Sequence, residues 1–118
     1  MKKPDPREVA LRLRAIIQKL GLTPKAAAHE LGMTRERLNN SLNGYALPRY
    51  ETVYALQKML PGITMEWVYF GNDHFVPDKL GRELAIFTEV ARQRLESGGS
   101  VPEERGPVLR QPAANATA

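Results

Sequence analysis

The stretch Leu22–Pro48, LTPKAAAHELGMTRERLNNSLNGYALP, constrains this chain most, because two helix starts and two helix stops fall inside it. Thr23 is a good N-cap, and Pro24 follows at the first helical position, where its missing N–H costs nothing. The segment then runs through Ala26, Ala27, Ala28 and Leu31, small residues that let another helix approach closely, to Gly32, the expected left-handed stop. Thr34 caps again. A second helix is predicted over Arg35, Glu36, Arg37, Leu38, Asn39, Asn40, Ser41, Leu42 and Asn43, with Gly44 ending it. The connection between the two holds no more than about four residues.

Two short helices joined by a tight Gly-containing turn make a helix-turn-helix unit, whose second helix enters the DNA major groove. The composition of the second helix strengthens that reading. Asn is a poor helix former, and Asn39, Asn40 and Asn43 each cost roughly 0.5 kcal/mol relative to Ala. Leu38 and Leu42, at i and i+4, supply the inward packing. On the other faces, Arg suits guanine N7/O6, Asn suits adenine N6/N7, and Glu accepts from cytosine N4. The bland alternative is a solvated face, where Lys, Glu and Gln would be expected. An Asn-rich face favours base reading.

With Gly21–Thr23 (GLT), Ala28, Leu31–Arg35 (LGMTR), Leu38, Asn43–Gly44, Pro48 and Met65–Gly71 (MEWVYFG) in this order and spacing, the chain resembles the lambda-repressor/Cro-like, or XRE, family from about Val9 to Gly71. The resemblance implies a five-helix fold in which the second and third helices meet DNA. It implies that Arg35, Glu36, Asn39 and Asn40 read bases. It also implies phosphate contacts at Thr23, Lys25, Thr34, Arg37, Asn43, Gly44, Tyr45 and Arg49. Two positions depart from the family pattern: Pro24 stands where many members carry a clamping Gln, and Leu42 where Glu is frequent.

The chain has 118 residues, enough for one hydrophobic core but not two. Charge is unevenly spread: residues 1–50 carry ten Lys/Arg against four Asp/Glu, whereas residues 51–118 carry seven against nine. The basic half therefore contains the helix-turn-helix, as phosphate attraction requires, although small basic domains are common. No apolar run approaches the ~20 residues of a membrane span, and MKKPDPREV lacks the apolar stretch of a signal peptide. With no cysteine there is no disulfide framework and no thiolate metal site. Cytoplasmic residence in a bacterium or its phage is the expectation, carried by the resemblance.

An all-α architecture follows from the remaining periodicity. Arg7–Leu20 carries Leu11, Leu13, Ile16, Ile17 and Leu20 at helical spacing, and Tyr50–Leu60 repeats the pattern until Pro61-Gly62 breaks it. Thr64 caps a short helix with Met65, Trp67, Val68 and Phe70, closed by Gly71, and Trp67 reads as core rather than as a ligand-stacking ring. After the loop 71–77, Lys79–Glu96 forms a sixth, amphipathic helix. Five helices already complete the family core, so the extra stripe either docks on that core or buries itself against a second subunit. The expectation is dimerisation through Leu80, Leu84, Phe87 and Ala91. The chain thus divides into a helix-turn-helix domain (1–71), a loop plus dimerisation helix (72–96) and a tail (97–118) whose composition predicts disorder.

Catalysis finds no support. His29 beside Glu30 and His74 beside Asp73 have no metal-ligand spacing, and there is no Ser/His/Asp set or phosphate-cradling Gly-rich loop. No cofactor or small-molecule effector is indicated. The sequence therefore reads as a DNA-binding transcriptional regulator, a repressor acting as a homodimer on double-stranded DNA. Its rivals are the antitoxin of a toxin–antitoxin pair and a protein–protein adaptor that kept the fold without DNA binding.

Overall fold

The computed structural model describes residues 3–97, which form six helices: α1 (Pro6–Leu20), α2 (Pro24–Leu31), α3 (Arg35–Leu42), α4 (Tyr50–Met59), α5 (Met65–Phe70) and α6 (Asp78–Glu96). Side-chain caps set four of the starts, three of them, Thr23, Thr34 and Thr64, as read from the sequence. Asp5, Thr23, Thr34 and Thr64 each accept a backbone N–H of the first turn, at 3.0, 3.1, 3.2 and 2.9 Å. Each such cap is worth about 1 kcal/mol. Left-handed Gly21, Gly32 and Gly71 close α1, α2 and α5. The third helix ends one residue short of expectation, at Leu42, and Asn43 is its C-cap.

Helix α1 is the centre of the molecule. Its Val9, Leu13, Ile16 and Ile17 join a core that includes Leu38 and Leu42 of α3, Val53 and Leu56 of α4, Trp67 and Val68 of α5, and Leu84 of α6. Trp67 is buried, as a core residue should be. None of the helices among the described residues is long and apolar enough to cross a membrane.

The inner stripe of α6 is covered within the subunit, which corrects the dimerisation expectation. Leu84 and Ala91 are buried, and Leu80 and Phe87 pack against the core. The partner is α1, and α6 runs antiparallel along it. Arg92, late in α6, holds Glu8, early in α1, through a two-pronged fork at 2.9 and 3.0 Å, while Lys19, late in α1, meets Glu83, early in α6, at 2.8 Å. The fork holds the Glu8 carboxyl below its ordinary range. At the start of α6 the fit is close: a Cβ on Gly62 would lie 2.8 Å from Leu80 Cδ2, and Gly62 adopts φ +112°. Val76 and Leu84 therefore belong to the same core as residues of the preceding helices, with Leu80 and Phe87 packed against it, and Ala91 is buried as well. The tail expected to be disordered lies, beyond Ser97, outside the described residues.

Candidate nucleic-acid interface

The α2–α3 pair is built on small residues. Helix α2 buries Pro24, Ala27 and Ala28, and the turn Gly32–Thr34 reverses the chain into α3. Helix α3 buries Leu38, Ser41 and Leu42, a single stripe at i, i+3 and i+4. Its opposite face presents Glu36, Arg37 and Asn40 to solvent, with Arg35 and Asn39 half-buried at the margin. Of the expected base readers, Glu36 and Asn40 thus stand at the middle of the outward face, and Arg37, which the resemblance had placed at a phosphate, is exposed at one side of it. Arg35 and Asn39 stand at its edge.

Lys25, Thr34 and Arg49 are exposed, and Thr23 is half-buried. The oxygens of Thr23 and Thr34 accept helix-capping N–H groups, and a hydroxyl that accepts still has a proton to donate outward. Tyr45 is the most exposed of the large hydrophobic side chains among the described residues, at 79 %. Cations at Lys25, Arg35, Arg37 and Arg49 outnumber the two acids of α2 and α3, Glu30 and Glu36. The patch suits a polyanion.

Two expected phosphate contacts have other work. Asn43 is engaged inside the subunit: its Oδ1 accepts from Arg14 Nη2 at 2.9 Å and its Nδ2 donates to the Asn39 carbonyl at 2.9 Å. Gly44 donates its N–H to the Ser41 carbonyl. Its φ of +80° and its approach to α1, where an added Cβ would lie 3.3 Å from Arg7 Cα, explain why glycine stands there. Farther on, the Tyr69 hydroxyl donates to the Pro48 carbonyl at 2.9 Å, tying the loop before Arg49 to α5.

Two arginines of α1, Arg12 and Arg14, escaped the sequence reading. Arg12 Nη1 donates to the Val68 carbonyl at 3.0 Å, at the C-terminal end of α5. Arg14 Nε donates to the Leu42 carbonyl at 2.7 Å, at the C-terminal end of α3. A guanidinium at each site answers carbonyls left over at a helix end and complements its dipole. Burial pulls the Arg14 pKa down to about 10, with nearby Arg94 adding to the effect. A signal was available: Ala10, Arg14 and Ile17 share one helical line, so Arg14 interrupts an apolar stripe.

Neither histidine joins the site in any catalytic arrangement. His29 is exposed on α2, and the His74 ring packs edge-on against Phe75, with centroids 4.6 Å apart.

The family described as Helix-turn-helix matches residues 13–68, from the middle of α1 through α5. No curated protein and no solved structure matches the chain. Together with the capped α2–turn–α3 geometry and its basic outward face, the match identifies residues 13–68 as a DNA-binding helix-turn-helix domain of the lambda-repressor/Cro-like (XRE) family, the domain of a transcription regulator.

Proposed function

We propose that this regulator is a repressor that binds a pseudo-palindromic operator as a homodimer, in the cytoplasm of a bacterium or its phage. The observation that carries sequence-specific reading is the outward face of α3, where Glu36, Arg37 and Asn40 are exposed while Leu38, Ser41 and Leu42 hold the helix in the core. Base contacts come from Arg35, Glu36, Asn39 and Asn40. Phosphate contacts come from Thr23, Lys25, Thr34, Arg37, Tyr45 and Arg49. Two-fold pairing is expected because one helix-turn-helix reads only a few base pairs, too little for a useful specificity ratio. Since the inner stripe of α6 is covered by α1, the joining surface must use other apolar side chains. Leu47, Tyr50, Phe70 and Phe75 are exposed and supply candidates.

The test is titration of a selected operator and of random DNA at several salt concentrations. Asn40→Ala or Arg35→Ala should cost about 1–3 kcal/mol on the operator and relax one base preference per half-site. Arg49→Ala should weaken both DNAs alike and flatten the salt dependence by about one unit of slope per contact. Equal weakening of both DNAs by Asn40→Ala and Arg35→Ala, with no change of preference, would overturn base reading by these residues. Light scattering decides the oligomeric state: a monomer mass on operator DNA would remove the homodimer.

A further inference from the structure

Arg14 is 6 % exposed, and its guanidinium holds two acceptors at once, the Leu42 carbonyl at 2.7 Å and Asn43 Oδ1 at 2.9 Å. The chain of bonds continues outward. Asn43 donates both its Nδ2 and its backbone N–H to the Asn39 carbonyl, each at 2.9 Å. A buried charge is an expensive way to stabilise a fold, since an apolar side chain of similar volume would often serve as well or better. Capping the end of α3 would need only one donor. The second donor goes instead to a side chain that reaches back one turn to Asn39, next to the exposed Asn40.

We propose that Arg14 is a positioning residue for base recognition, fixing through Asn43 the axial position and rotation of the last turn of α3, which carries Asn39 and Asn40. The proposal rests on the reading of α3 as the base-reading helix. Helix α3 has only eight residues, so it is about 12 Å long. Its start is fixed by the Thr34 cap; at its end the backbone N–H groups of Asn43, Tyr45 and Gly44 take the carbonyls of Asn39, Asn40 and Ser41, and Arg14 takes that of Leu42. An amide that pairs with a base edge needs placement to within about 0.5 Å. A planar guanidinium with two acceptors in its fork constrains distance and rotation together, whereas a lysine ammonium is a point charge without that fork. Asn43 is thus a relay between the core and the reading face.

The experiment compares wild type, Arg14→Lys and Asn43→Ala. Each is used to select sequences from a randomised duplex library, and its affinity for the wild-type operator and for random DNA is measured at one salt concentration, well below its melting temperature. Circular dichroism reports the fold. Asn43→Ala is expected to keep the fold, to bind random DNA within twofold of wild type, and to lose tenfold or more on the operator. Its relaxed base positions should be those relaxed by Asn39→Ala and Asn40→Ala. Arg14→Lys should show the same pattern with a smaller loss, and if it does not fold, Asn43→Ala decides alone. Equal weakening of both DNAs by Asn43→Ala would make Asn43 a phosphate contact and overturn the proposal. A lower melting temperature with an unchanged operator-to-random ratio would overturn it as well, leaving Arg14 a stabilising residue only. If wild type itself selects no sequence, base reading fails and the proposal with it. A wild type that selects, with variants that keep its ratio, sinks the proposal alone.

Discussion

Replacing Leu84 by alanine separates a helix that completes the subunit from one that joins two subunits. Leu84 is fully buried between α6 and the core, and the side chains around it belong to the same chain. Truncation removes its buried methyl groups and leaves a cavity that the helix pair α1/α6, pinned at both ends by Glu8–Arg92 and Lys19–Glu83, is poorly able to close. Leu→Ala substitutions at such sites cost about 2–5 kcal/mol. For a domain of this size each kcal/mol lowers the melting temperature by roughly 4–8 °C, so a mid-range loss lowers it by more than about 10 °C. The assay is thermal unfolding followed by circular dichroism over a hundredfold range of protein concentration, with light scattering on the same samples. The fall should be the same at every concentration, because the lost contacts are intramolecular, and the solution mass should not change. Ile86→Ala, on the 64 %-exposed outer face of α6, should stay within about 0.5 kcal/mol of wild type. A destabilisation by Leu84→Ala that disappears at high protein concentration, or a halved mass, would refute intramolecular docking.

Gly44→Ala must place a Cβ at φ +80° against Arg7, so it should destabilise the protein by about 1–3 kcal/mol in urea unfolding; a loss below a few tenths would remove the strain argument. Glu8→Gln tests the ion-pair clamp by its pH dependence. The fork from Arg92 lowers the folded-state Glu8 pKa below the ordinary 4.5, so its contribution is present above that value and is lost as pH falls through the folded one. Wild-type stability should therefore fall more steeply below about pH 4.5 than that of Glu8→Gln. The amplitude should be under about 1 kcal/mol, because both side chains are more than a third exposed. Parallel acid limbs for the two proteins would show that the pair adds nothing.

The helix boundaries were legible because they are local chemistry. Thr23, Thr34 and Thr64 cap, Gly21, Gly32 and Gly71 stop, and each signal acts within one turn of itself. What covers the stripe of α6 was not legible, since periodicity gives an apolar face without its partner. The pairs that reveal the partner, Glu8–Arg92 and Lys19–Glu83, join ends of the chain that no local rule connects. The outward face of α3 followed from the inward spacing of Leu38 and Leu42, yet the roles of its neighbours did not. Asn43 has the polarity of a phosphate contact and is drawn inward by Arg14, a residue whose own burial depends on α3 packing across α1. A polar residue shows its donors and acceptors in the sequence, but its partners only in three dimensions.

The loop from Asn43 to Arg49 is fastened at both ends, at Gly44 against Arg7 and at Pro48 by the Tyr69 hydroxyl. Fixing one residue's backbone costs roughly 1–2 kcal/mol of conformational entropy. Here that cost is met when the protein folds, so the phosphate contact proposed for Arg49 would not incur it again and would cost only the rotamers of its own side chain. Loosening the loop with Tyr69→Phe would leave every outward-facing side chain in place. It would nonetheless transfer part of the ordering penalty from folding to binding.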